Sequence, residues 1–153
     1  MTSDILAVMT VSTDAYLELH NRLLEGFAAV DSGGATDSLN HLTPDFEMSY
    51  GGTVMTRPAY DQVIAAREEA PHSSRHIVTN LRISSTPEGN LTAQYLVTVH
   101  RVVNPQGAQS MSLADFLDEW CRDAQGALLL RRRQVTMFLE TGTLATEIEV
   151  AEH

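Results

Sequence analysis

Between residues 13 and 31, apolar side chains recur every three or four positions. Tyr16, His20, Leu23, Phe27 and Asp31 follow one another at spacings of four, three, four and four, with Leu24 and Ala28 beside them. That period predicts an amphipathic helix. Ser12, Thr13 or Asp14 can cap its start, and Gly33 and Gly34 end it. TDSLNHL predicts a short second helix, and TPDFEMSYGGTV a short strand with turn chemistry at Pro44 and Gly51-Gly52. TRPAYDQVIAAREEAP predicts a third helix, with Pro58 in its first turn and Pro71 closing it. After Pro71 the period drops to two. SSRHIVTNLRISS, LTAQYLVTVHRVV, SMSLADFLDEWCRDA and ALLLRRRQVTMFLE predict four strands, separated by turns at TPEGN, NPQG and QG. Residues 1–10 and 143–153 lack a pattern and read as tails around one domain at 11–142. Helices first and an antiparallel sheet afterwards is the order of an α+β domain.

Composition narrows the chemistry. The chain has 153 residues, 43% of them hydrophobic, enough for one self-sufficient core. A formal net charge of −10 argues against nucleic acid and anionic membrane surfaces as partners. All ten basic residues are arginine, which excludes lysine Schiff bases, pyridoxal phosphate on a lysine and a P-loop lysine. The single Cys121 allows neither an internal disulfide nor a cysteine-based zinc site. The six histidines show no HxH or HExxH spacing, and no Gly-rich phosphate loop occurs, so neither metal nor nucleotide cofactor is expected. The N-terminus lacks a basic region before its short apolar run, and no segment reaches membrane-spanning length. A reduced cytoplasmic setting is the simplest expectation.

Asp31 has two readings, a solvated residue at a helix end or a functional carboxylate that conflicts with its surroundings. Its spacing from Leu24, Phe27 and Ala28 sets it on the apolar side of the first helix. It also stands at the helix C-terminus, where the macrodipole disfavours an anion. A carboxylate there needs a donor or a cation opposite it.

Two stretches supply a candidate. SRHIVTNLRI resembles a strand of the SnoaL-like branch of the nuclear-transport-factor-2-like superfamily, in which a His precedes a Thr-Asn-aliphatic-Arg run. FAAVDSGG resembles the end of the first helix in that branch. The resemblance spans roughly residues 12 to 140. It implies a cone-shaped curved antiparallel sheet wrapped around three N-terminal helices, with an open pocket. The subset with both an Asp and a His at these places resembles scytalone dehydratase and lindane dehydrochlorinase, in which the two form a catalytic dyad; here they are Asp31 and His76. An Asp holding one ring nitrogen fixes the tautomer and raises the basicity of the other; the other reading of His76 is a half-buried core histidine. The lysine on the first helix of lindane dehydrochlorinase is missing, where this chain reads Glu25-Gly26. Leu128 stands about where the family often has Trp.

Other candidates carry two readings each. Arg133 shares parity with Val135, Met137 and Leu139 and falls about where the family has a basic residue. It either polarises a carbonyl or leaving group, or forms surface or dimer-interface salt bridges. Tyr50 either donates to an oxyanion or packs. Met48, Phe116 and Trp120 are apolar wall candidates or core. His100, on one side with Leu96 and Thr98, is a second pocket histidine or a rim residue. Asn80 lies two steps of two from His76, hence on its face, within reach of a ligand. His20 reads as core, and His41, His72 and His153 as loop, turn and tail residues. The resemblance implies a cofactor-independent lyase or cyclase, dehydratase-like, acting on a small hydrophobic oxygenated substrate, in a homodimer joined through the outer sheet face. Two rivals are a ketosteroid-type isomerase with a carboxylate shuttle, and a noncatalytic ligand-binding subunit such as the small subunit of an aromatic-ring dioxygenase.

Overall fold

The computed structural model describes residues 10–103 and 107–142. The tails expected at 1–10 and 143–153 lie outside these residues, apart from Thr10. Helix α1 runs Thr13–Asp31; the Ser12 side chain accepts from the Ala15 amide at 3.2 Å, which satisfies one free donor of the first turn. Gly33, at φ +89°, supplies the left-handed residue that stops it. A 3₁₀ helix covers Ala35–His41 and helix α2 covers Arg57–Glu69, with Pro58 in its first turn. The strands are β1 (Leu42–Tyr50), β2 (Thr53–Thr56), β3 (His72–Ser85), β4 (Leu91–Val103), β5 (Gln109–Arg122) and β6 (Leu128–Gly142). The segment SMSLADFLDEWCRDA, whose sequence also allowed a helix, is therefore a strand, as its position between two β segments predicts.

The six strands form one sheet in the order β2-β1-β6-β5-β4-β3. Pairs β3–β4, β4–β5 and β5–β6 form an antiparallel meander. The expectation of a wholly antiparallel sheet needs one correction, because β1 and β6 pair in parallel. The meander returns its last strand beside the first, and local patterning carries no information on which way those distant strands run. The result is the nuclear-transport-factor-2-like architecture, a curved open sheet with the helices on its concave side.

Inward positions of β4 alternate without interruption: Leu91, Ala93, Tyr95, Val97, Val99 and Arg101 are all buried. They meet Leu19 and Leu23 of α1, Phe46 and Met48 of β1, Trp120 of β5, and Leu128, Leu130 and Val135 of β6. Each fully buried aliphatic side chain contributes about 1.5–3 kcal/mol. The stripe of α1 is rotated from the predicted one. Its centre is Leu19 and Leu23, whereas Tyr16 and Leu24 are over a third exposed. Asp31 stays at the edge of that stripe, half-buried.

Candidate active site

The last turn of α1 and the first half of β3 meet face to face. Asp31 ends the helix, and Ser74 and His76 alternate inward on the strand. The Asp31 carboxylate collects three donors: His76 Nδ1 at 2.6 Å, the His76 backbone amide at 2.8 Å and the Ser74 hydroxyl at 2.7 Å. Burial pushes the Asp31 carboxyl upward, but hydrogen bonds from the His76 side chain and backbone, the His76 charge and the Ser74 hydroxyl outweigh it, so its pKa lies below the ordinary value. These donors meet the need that the helix dipole creates.

Two further contacts fix the pair. Arg67 of α2, itself buried, donates from Nη2 to the Ser74 hydroxyl at 2.8 Å. The chain Arg67–Ser74–Asp31–His76 thus ties α2, β3 and α1 together. The Phe27 ring, one helical turn before Asp31, stacks on the His76 imidazole at 5.0 Å and 19° between planes. With Nδ1 on Asp31 and one ring face on Phe27, His76 presents Nε2 as its remaining polar atom, and the residue lines the central cavity.

That cavity measures about 140 Å³ and lies between α1, α2 and the inner face of the sheet. Val30, Tyr60, Val63, Ile64, Val97 and Val99 make much of its wall. A dry engineered cavity of about 150 Å³ takes up benzene, which sets the scale of one small ring system.

Five of the residues singled out in the sequence besides His76 line this cavity: Met48, Tyr50, Phe116, Trp120 and Arg133. Arg133 is no surface residue. Its Nε and Nη2 grip the two oxygens of the fully buried Asp118 at 2.8 Å each, and Nη2 also reaches the Tyr95 hydroxyl at 3.0 Å. The guanidinium lies 5.3 Å from the ring centres of both Phe27 and Phe116. Burial lowers the tendency of Arg133 to stay charged, but the Asp118 carboxylate beside it more than compensates and its pKa is raised. Burial, together with Asp118, pushes the Tyr95 phenol well above its usual value despite the opposing Arg133 charge.

Two candidates stand elsewhere. His100 keeps the side it shares with Leu96 and Thr98, and that side is the outer one; it is exposed, opposite Arg75 and Met111. The inner side belongs to Val97, Val99 and Arg101. Asn80 is also exposed and borders an outer groove with Gln94, Leu96 and Leu117. A register shift between Thr79 and Arg82, with Asn80 at φ +56°, breaks the alternation counted from His76. His20 stacks on Tyr16 at 6.2 Å and stays off the cavity wall. The sequence reading missed Ser74, Arg67, Arg22 and Arg101, and read His41 as a loop residue, whereas it ends the 3₁₀ helix and lines the cavity. Parity offered Ser74, two residues from His76; the others are brought in only by the packing of helices on the sheet.

A sequence model described as the SnoaL-like domain matches residues 12–134. Solved structures of similar shape include Aln2 from a Streptomyces species, at 22% identity and TM-score 0.70, covering 83% of this chain and 93% of that one. ActVI-ORFA from Streptomyces coelicolor is 23% identical with TM-score 0.69, covering 80% and 96%. A Novosphingobium aromaticivorans protein with the provisional name scytalone dehydratase is 16% identical with TM-score 0.77, covering 88% and 94%. No curated protein matches the chain. Among the described residues no helix is long and apolar enough to cross a membrane, and no group of three His, Cys, Asp or Glu side chains is placed to hold a metal.

Proposed function

The chain belongs to the SnoaL-like domain family, and from that premise we propose that it is a cofactor-independent lyase or cyclase of the dehydratase type, with His76 as general base. The observation that carries this reading is the 2.6 Å contact between Asp31 and His76 Nδ1 at the wall of an apolar cavity. With the Nδ1 proton held by the carboxylate, neutral imidazole has its lone pair on Nε2. That nitrogen takes a proton from the carbon next to a carbonyl. The electrons of the C–H bond move toward the carbonyl and then form the new C=C bond as the β-hydroxyl leaves. The imidazolium, stabilised by Asp31, returns the proton to the departing hydroxide as water. A positioned general base of this kind contributes about 10²–10⁴ in rate.

Tyr50 and Arg133, both on the cavity wall, are the two oxyanion donors considered; Arg133 also commits Nε and Nη2 to Asp118 and Tyr95. The substrate is a small, mostly apolar ring compound bearing oxygen, in keeping with the cavity's size and wall. The similarity to ActVI-ORFA and to the protein named for scytalone dehydratase supports this class. The rival carboxylate shuttle fits less well, since both Asp31 oxygens are engaged by β3 and Asp31 does not line the cavity. The outer sheet face exposes Ile77 and Leu117, which supports a homodimer through that face; light scattering on the purified chain measures it.

The test uses cyclic β-hydroxy ketones in D₂O. α-Proton exchange is followed by NMR and enone formation by absorbance. His76→Ala, with an unchanged circular dichroism spectrum, is expected to lose about 10²–10⁴ of both rates. Full activity in that variant sinks the proposal.

A further inference from the structure

The cavity wall runs against the charge of the chain. The sequence has 20 acids and 10 bases. Yet the described residues lining the cavity include Arg22, Arg67, Arg101 and Arg133 and no Asp or Glu. Asp118 neutralises Arg133 at 2.8 Å. Arg67 and Arg101 stand toward the dyad, on Ser74 and Ser112. Arg22 marks a different end. It precedes Asp31 by nine residues on α1, a rise of roughly 13 Å.

Strand register brings Trp120 and His41 into the same stretch of the sheet as the start of β6, where Arg22 lies. Arg22 Nε donates to the Leu128 carbonyl at 3.2 Å, which holds the guanidinium at the wall and leaves both Nη groups outside that contact. Trp120 pairs across the ladder with Leu130, and Leu130 pairs with Leu42. The indole is 1% exposed, and its Nε1 is buried without a hydrogen-bond partner among the described residues. His41, next to Leu42, has Nδ1 in the same condition. Burial and the Arg22 charge push the His41 pKa down, against the opposing pull of the Glu25 charge. Buried polar atoms of this kind are almost always paired in folded proteins. The nearby carboxylates are turned elsewhere: Glu18 is bound to Arg122 at 2.7 Å, Glu25 is exposed, and neither lines the cavity.

We propose that this end of the cavity receives a carboxylate of the substrate, with Arg22 and the Trp120 indole N–H as its donors, so that the natural substrate is a small ring-bearing carboxylic acid. The proposal rests on the general-base reading only for orientation: the acid anchors at Arg22 while the reacting carbon faces His76. A guanidinium and an indole N–H supply charge-assisted donors to one anion.

Isothermal titration of the full chain with benzoate and benzamide tests this, because the two differ chiefly in charge. The wild-type chain is expected to bind the acid at least about tenfold tighter than the amide, as a charge-assisted contact predicts. Arg22→Met should abolish that preference and Arg22→Lys restore most of it. Trp120→Phe, which keeps the ring and removes only the N–H, should weaken the acid severalfold and leave the amide as it was. Melting temperatures taken alongside separate these effects from unfolding. Absence of a preference in the wild-type chain, no binding of either compound, or equal losses for both compounds in Arg22→Met overturns the proposal. A preference abolished by His76→Ala but kept in Arg22→Met would put the carboxylate at the dyad and overturn it as well. Binding needs no turnover, so an inert His76 leaves the acid preference measurable, and loss of that preference leaves the base role of His76 standing.

Discussion

Replacing Asp31 with asparagine removes one charge and almost no volume. The carboxylate accepts from His76 Nδ1, the His76 amide and the Ser74 hydroxyl. An amide oxygen can keep the backbone contact at Oδ2 or the pair at Oδ1, never all three as charge-assisted bonds. Hydrogen bonds to charged groups are worth about 1.5–3 kcal/mol each. Asp31 is only partly enclosed, so a loss of about 1–3 kcal/mol is expected, and each kcal/mol shifts Tm by roughly 2–4 °C in a chain of this size. The catalytic loss is larger. An asparagine NH₂ facing Nδ1 forces the imidazole proton onto Nε2, which then cannot accept one; a fall in kcat of about 10²–10⁴ is expected. The acid limb gives an independent check. The folded-state pKa of Asp31 lies below its unfolded value, so its stabilisation is present above the unfolded pKa and is lost as pH falls through the folded one. Differential scanning calorimetry of both chains from neutral pH down past pH 4 should therefore show the wild type converging on Asp31→Asn as acid is added. Wild-type kcat in the variant, or a Tm gap that stays constant across the acid range, refutes the argument.

Two other variants probe the frame around the dyad. Asp118→Ala leaves the buried Arg133 guanidinium without its carboxylate, at an expected cost of about 3–5 kcal/mol read by urea unfolding; Asp118→Asn should recover part of it. Ser74→Ala takes one donor from Asp31 and the acceptor from Arg67 Nη2, so kcat should drop severalfold with KM nearly constant, in steady-state kinetics.

Much of the architecture was legible in the chain. The period of four and three over 13–31, the capping Ser12, the Gly33 stop and the four period-two runs each follow from neighbours within one turn or one hairpin. Asp31 was legible for the same reason, since its position on an apolar stripe at a helix C-terminus conflicts with its charge. His76 rested on the likeness of SRHIVTNLRI to a family strand; nothing in its spacing distinguishes it from His100, which alternates as regularly but faces outward.

Which of two alternating sides faces in is a tertiary matter. The extra residue near Asn80 flips a face that counting by two cannot follow, because a bulge changes parity without changing composition. Parallel pairing of β1 with β6 depends on the path of some eighty intervening residues, and side-chain periodicity does not record strand direction. The Arg67–Ser74–Asp31 chain, the burial of Arg133 on Asp118 and the contact of Arg22 with the Leu128 carbonyl join elements far apart in sequence. Local propensity determined the helices, the strands and the misplaced carboxylate; long-range packing decided which polar groups meet it, since those contacts exist only once distant segments share one cavity.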